Sequence, residues 1–148
     1  MSIDDTVTFQ DTIRVRDCCL CLHVQRAARS LARLFDDALR PFGLTNGQFS
    51  LLMSLNRPKP PSISSVASLL AMDRTTLTAA LKPLERRGLI AVSQSREDAR
   101  TRLLALTADG MAVLAQATPI WDRVHAELEA GLADAGGLRR DLQTLSSA

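Results

Sequence analysis

The sequence has no tyrosine, four phenylalanines and one tryptophan. An aromatic share of 3% leaves little for base-stacking platforms or for an aromatic cage. No apolar run approaches the ~20 residues that a membrane-spanning helix needs. The opening MSIDDTVTFQDTIRVRD carries acids and lacks an apolar stretch, so it does not read as a signal peptide. These two absences lead us to expect a cytoplasmic protein without a membrane partner. No single sign of charge dominates, with 18 Lys and Arg against 16 Asp and Glu. Cysteine is scarce and odd in number, three residues packed into Cys18-Cys19-Leu20-Cys21, which is no disulfide framework. The 148 residues suffice for one domain with a core, or a core plus an oligomerisation arm, and are too few for a two-domain enzyme. With 46% hydrophobic and 23% charged residues, the chain is not intrinsically disordered.

What is present is mostly helical periodicity. Residues 1–12 are polar without a clear period and read as a loose arm. From about Val15 to Leu39, Leu20, Val24, Ala27, Ala28, Leu31, Leu34, Phe35 and Ala38 recur every three or four residues, the stripe of one long helix. Pro41 and Gly43 end it, and Thr45 with Gln48 forms a capping box for a second helix carrying Phe49, Leu51, Leu52 and Leu55. The stiff connector Arg57-Pro58-Lys59-Pro60-Pro61 follows. Ile63 to Leu70 reads as a short helix capped by Ser62 or Ser64, and Asp73 caps a further helix to about Arg87, closed by Gly88. The apolar runs 89–93 and 102–106 are strand-like, joined by a charged loop, and predict a hairpin. Thr107 caps a long helix with its stripe at Leu114, Ala117, Trp121, Val124, Leu128 and Leu132, kinked at Pro119. Gly136-Gly137 is expected to separate a last short helix carrying Leu138, Leu142 and Leu145.

The stretch from Ser65 to Arg102 has the pattern of a helix-turn-helix followed by a wing. Val66, Ala67, Leu70, Met72, Leu77 and Ala80 fall where two helices crossing at a steep angle need apolar contacts, with the turn at Ala71-Met72-Asp73. Such turns often carry Gly, so Ala71 is expected to keep φ below zero. On the second helix Leu77, Leu81 and Leu84 point inward. Arg74, Thr75, Thr78, Ala79 and Lys82 are left over, either as a solvated face or as a surface short enough to approach a major-groove floor. From Asp73 to Arg102 the formal charge is +3, and the remainder of the chain is −1. Positive charge is therefore gathered where phosphates would be met. At the wing tip, Arg96 to Arg100, Arg100 suits the narrow minor groove, and Asp98 is placed to hold its guanidinium in shape.

The runs DRTTLTAALKPLERRGLI and EDARTRLLALTADG, preceded by LTNGQFSLL, resemble the MarR (multiple antibiotic resistance regulator) family of winged-helix transcription factors over roughly residues 18–132. Where that family commonly has a further Asp before the wing motif, this sequence has Ser95. Relatives with a similar LKPLERRGL run also carry a Pro at the position of Pro83. The resemblance implies an obligate homodimer with interlocked first, fifth and sixth helices and two winged lobes on a pseudo-palindromic operator. It also implies a response to a small anionic or phenolic ligand, to oxidants or to zinc.

On one helix, Cys18 and Cys21 would share a face, and Cys19 and His23 another. The oxidant-sensing branch of the family also places a Cys early in its first helix, but it surrounds the thiol with Tyr hydroxyls, and this sequence has none. Zinc held by Cys19, Cys21 and His23 would lack a fourth ligand. Packing as small hydrophobes at a dimer seam is the plainer role for Cys18, Cys19 and Cys21, and Trp121 reads as core or as the wall of an effector pocket. A thiol oxidoreductase is disfavoured because no βαβ pattern surrounds the cysteines. A winged helix used only for protein contact would not need the Arg74 and Lys82 face.

The expected fold is mainly α with a small β-hairpin wing, one MarR-like unit over residues 1–148. Its winged helix-turn-helix DNA-binding lobe covers 45–106, and its dimerisation helices cover 13–40 and 107–147. The expected function is a sequence-specific transcriptional regulator, a repressor rather than an enzyme. The residues expected to meet DNA are Arg74, Thr75, Thr76, Thr78, Ala79, Lys82, Arg96, Asp98 and Arg100. The expected partners are double-stranded DNA, a second copy and a small aromatic or anionic effector, with no cofactor and no metal site.

Overall fold

The computed structural model describes residues 6–147. Seven helices and one hairpin follow in order among them: α1 (Phe9–Cys18), α2 (Leu20–Leu39), α3 (Asn46–Ser54), α4 (Ile63–Leu69), α5 (Arg74–Arg86), β1 (Ile90–Gln94), β2 (Arg102–Leu106), α6 (Ala108–Ala130) and α7 (Ala135–Ser146). A 3-10 turn, Arg40–Phe42, closes α2, and Gly43 turns the chain with φ +69°. The chain divides into two compact units, one ending at Leu34 and the other beginning at Phe35.

In the first unit the expected loose arm is partly helical. Thr8 accepts from the Asp11 N–H while Asp11 accepts from the Thr8 N–H, a complete capping box that starts α1 at Phe9. Residues 1–5 of that arm lie outside the described residues. The single long helix expected from Val15 is interrupted at Cys19, which is extended (φ −71°, ψ 109°). Cys19 starts the next helix. Its carbonyl accepts from the His23 N–H at 3.1 Å and from His23 Nδ1 at 2.8 Å, and its Sγ accepts from the Leu22 N–H. The three cysteines are thus distributed over two helices and the joint between them. The apolar stripe of α2 is largely open, with Leu20, Val24, Leu31 and Leu34 all exposed.

The second unit holds the core. Leu39, Leu52, Val66, Leu77, Leu84 and Leu104 are fully buried, so α3, α4, α5 and β2 all contribute to one apolar cluster. Each such Leu is worth about 1.5–3 kcal/mol of transfer free energy. β1 and β2 pair antiparallel with Ile90 opposite Leu106 and Val92 opposite Leu104. The connector adds a third edge to this hairpin, because the Leu104 N–H donates to Pro61 O at 2.9 Å and Ser62 bridges to Leu103. Helix α6 continues through Pro119 to Ala130 and ends at Gly131, so Leu132 lies beyond it. The last break falls at Gly131–Asp134 rather than at Gly136-Gly137. Asp134 caps α7 by accepting from the Gly137 N–H at 2.9 Å, which draws both glycines into the first helical turn.

Two backbone positions carry the helix-turn-helix and its attachment. Ala71 takes φ +52°, against the expectation that it would stay below zero. The Met72 N–H donates to Ala67 O at 2.9 Å, and reversing the chain this tightly after α4 needs a left-handed residue. At the start of α6, a Cβ added to Gly110 would stand 2.1 Å from Leu89 O. Ala71→Gly should raise the unfolding free energy by about 0.5–1 kcal/mol, the left-handed penalty less the added freedom of the unfolded chain. Gly110→Ala should lower it by at least about 3 kcal/mol, because the obstructing atom is backbone. Urea titration checks both.

Candidate nucleic-acid interface

Helix α5 begins at Asp73, whose carboxylate accepts from the Thr76 N–H and from the Thr76 hydroxyl, both at 2.8 Å. These bonds hold the Asp73 carboxyl below its ordinary pKa, the backbone bond most strongly. Leu77, Leu81 and Leu84 are buried, as the sequence spacing required. Arg74, Thr75, Thr78, Ala79 and Lys82 line an open groove of about 330 Å³ along the outer face. The Thr78 hydroxyl donates to Arg74 O at 2.7 Å, so its lone pairs face outward as acceptors. Thr76, expected on the same face, has its hydroxyl committed to the cap instead.

The wing is the loop between β1 and β2. Ser95 Oγ accepts from the Glu97 and Asp98 N–H groups, and Asp98 accepts from the Arg100 N–H at 3.0 Å and from the Thr101 hydroxyl. Gln94 Nε2 donates to Ala99 O at 2.6 Å. Asp98 therefore shapes the turn through the backbone of Arg100, not through its guanidinium as expected. A short carboxylate two residues before an N–H reaches it readily, which is the geometry of an Asx turn. Ser95, at the place where the resemblance led us to look for an acid, supplies the other half of that turn. Arg96 and Arg100 remain exposed and, among the described residues, form no ion pair.

A polar cavity of about 320 Å³ joins these elements, lined by Ser62, Ser64, Arg74, Arg100, Thr101 and Arg102. It brings the expected Arg74 and Arg100 together and adds Ser62, Ser64 and Arg102, which sequence reasoning left out of the site. Arg102 was legible only as part of the local charge, and the serines only as helix caps.

A separate, apolar cleft of about 380 Å³ is lined by Phe49, Met53, Leu69, Leu70 and Trp121 together with Ser50 and Ser54. Trp121 is half-buried and stacks on Phe49 at 6.2 Å, Phe35 at 6.5 Å and His125 at 4.5 Å between ring centroids. His125 Nδ1 lies 3.7 Å from Glu129, which also pairs with Arg139 of α7. Cys18 and Cys21 are exposed and Cys19 is half-buried. No three His, Cys, Asp or Glu among the described residues are placed to hold a metal, and no described helix is long and apolar enough to cross a membrane.

The MarR family model matches residues 44–101, from the helix before the helix-turn-helix into the wing. The organic hydroperoxide resistance transcriptional regulator of Bacillus subtilis is 30% identical over 101 residues, which is 68% of this chain and 69% of that protein. The chain belongs to the MarR family. Among solved structures, the M. tuberculosis transcriptional regulator MosR in complex with DNA superposes with a TM-score of 0.81 at 41% identity, covering 87% of this chain and 94% of that one. Bordetella bronchiseptica BpsR, whose DNA binding is regulated by 6-hydroxynicotinic acid, superposes with a TM-score of 0.78 at 27% identity, covering 87% and 94%. This MarR-family chain is a winged-helix, DNA-binding transcriptional regulator, and its homologues and fold are those of regulators rather than enzymes.

The depressed Asp73 carboxyl sets an acid limit on the cap of α5. A carboxyl whose pKa is lowered by folding contributes stability above its ordinary range and loses it as pH falls through the folded value. Asp36 acts in the same direction, lowered first by the Asn46 N–H at 2.7 Å and then by the Asn46 side chain at 2.8 Å. Unfolding midpoints should therefore fall as the pH drops below about 4. Asp73→Asn should cap α5 while flattening part of that decline, measured by circular dichroism across pH.

Proposed function

We propose that this regulator acts as a homodimeric repressor in the cytoplasm, binding a pseudo-palindromic operator and leaving it when a small apolar or aromatic effector binds. The observation that carries the DNA-binding assignment is the exposed Arg74, Thr75, Thr78, Ala79 and Lys82 face of α5, flanked by the unpaired arginines of the wing. In this proposal α5 lies in the major groove, and Arg96 or Arg100 enters the adjoining minor groove. Thr76 and Asp98 serve by shaping α5 and the wing tip. The lobe from 45 to 106 is the reading head, and the segments 13–40 and 107–147 are the dimerisation arms.

Pairing is supported by the apolar surface that a lone chain leaves open. Leu138, Leu142 and Leu145 form an exposed stripe on α7, and Val24, Leu31 and Leu34 form another on α2. Contiguous exposed apolar residues of this kind mark protein interfaces. The cleft against Trp121 is the proposed effector site, because flat apolar walls and a stacked indole suit an aromatic ligand. BpsR supplies a precedent for regulation of DNA binding by a small ring compound.

A second reading, an oxidant-responsive regulator of the same fold, is favoured by the exposed Cys18 and Cys21 on either side of the Cys19 joint. The name of the B. subtilis relative points the same way.

Lys82→Ala and Arg100→Ala should each weaken binding to the chain's own upstream DNA by about 1–3 kcal/mol in fluorescence anisotropy. The protein should sediment as a dimer. Trp121, the sole tryptophan, should change emission when an aromatic acid displaces DNA. Release by peroxide alone, abolished by Cys18→Ser or Cys21→Ser, would instead select the oxidant reading.

A further inference from the structure

We propose that the cavity between the start of α4, the start of α5 and the base of the wing is a seat for one backbone phosphate of the bound duplex, with Arg102 and Ser64 as contacts outside the α5 reading face. The proposal rests on the docking of α5 described above. Three arginines, Arg74, Arg100 and Arg102, line this one cavity of about 320 Å³ together with the hydroxyl residues Ser62, Ser64 and Thr101 and the apolar Ile63. No carboxylate lines it, and none of the three arginines forms an ion pair among the described residues. The acids nearest in sequence are engaged elsewhere. Asp73 holds Thr76, and Asp98 holds the Arg100 N–H and the Thr101 hydroxyl. Like charges gathered round a polar cavity repel one another until an anion enters, and the planar fork of arginine matches phosphate oxygens.

The walls are held in register by backbone. The Leu104 N–H donates to Pro61 O, and Ser62 bridges to Leu103, so β2 presents Arg102 directly beside the chain that carries Ser62 and Ser64. Arg74 lines both this cavity and the α5 groove. A phosphate seated here would therefore border the bases facing Thr75 and Thr78, fixing the register of α5 without reading sequence itself.

The test is an anisotropy titration of the full chain against its own upstream duplex and a scrambled duplex of equal length, each at several NaCl concentrations. Arg102→Gln should weaken both duplexes by the same factor, roughly 5–20-fold, and reduce the salt slope by about 0.9. Ser64→Ala should weaken both by roughly 2–3-fold, since a hydroxyl contributes a neutral contact. Circular dichroism confirms that each variant is folded. An unchanged salt slope in Arg102→Gln, or a loss confined to one duplex, overturns the proposal.

Inorganic phosphate, set against chloride at equal ionic strength, separates a duplex phosphate from a free anion. Phosphate that competes with the duplex in wild type but not in Arg102→Gln supports the seat. Phosphate that raises the melting temperature without competing assigns the cavity to a free anion and overturns it. Wild-type protein that holds neither duplex would sink the docking of α5 and the seat with it, whereas wild-type binding with an unchanged Arg102→Gln salt slope overturns the seat alone.

Discussion

The helix-turn-helix and its wing depend on one junction, where the chain leaves β2 and begins α6. Thr107 donates its N–H to Leu89 O at 3.1 Å and its hydroxyl to Gly88 O at 2.6 Å, and it accepts from the Gly110 N–H. That single residue caps α6, ends the hairpin and grips two of the three residues that link α5 to β1. Gly110 makes the grip possible, because the carbonyl of Leu89 occupies the space where any other side chain would begin. Helix α5, the wing and α6 therefore share one point of attachment. Elements tied at one point keep a fixed relative position, which is what a surface built from several of them needs.

From that junction outward, polarity is divided by position. Leucines on the inner face of α5 bury completely, and its outer face offers two hydroxyls, a methyl and two cations. The wing repeats the division on a smaller scale. Its backbone is tied down by Ser95, Asp98 and Gln94, while Arg96 and Arg100 stay open. In each place one acid, Asp73 or Asp98, shapes backbone and the bases face outward. This division concentrates positive potential on one side of a chain that is nearly neutral as a whole.

Much of this was legible in the sequence because the signals are local. Thr45, Ser62, Asp73 and Thr107 cap the helices expected of them, and the leucine spacing of α5 gives its buried face. The interruption at Cys19 was not legible, since nothing in Arg-Asp-Cys-Cys-Leu-Cys marks a helix end. It arises because the Cys19 carbonyl and thiol take up the first N–H groups of α2. Gly136-Gly137 misled in the opposite direction. Glycine usually breaks a helix, but a capping Asp134 tolerates it in the first turn.

Residues within a few positions of one another determined helix, cap, hairpin and the basic segment, because those choices depend on hydrogen bonds and periodicities that span one or two turns. Family membership followed from the order of those same local features. Contacts between distant segments were left to the tertiary structure. It brought Ser64 and Arg102, 38 positions apart, to one cavity. It turned Asp98 toward a backbone amide, set Ala71 at positive φ and stacked Trp121 between Phe35, Phe49 and His125. These depend on where the hairpin folds back against the Pro61–Ser62 strap and on how closely helices approach, and no short window of sequence encodes such distances.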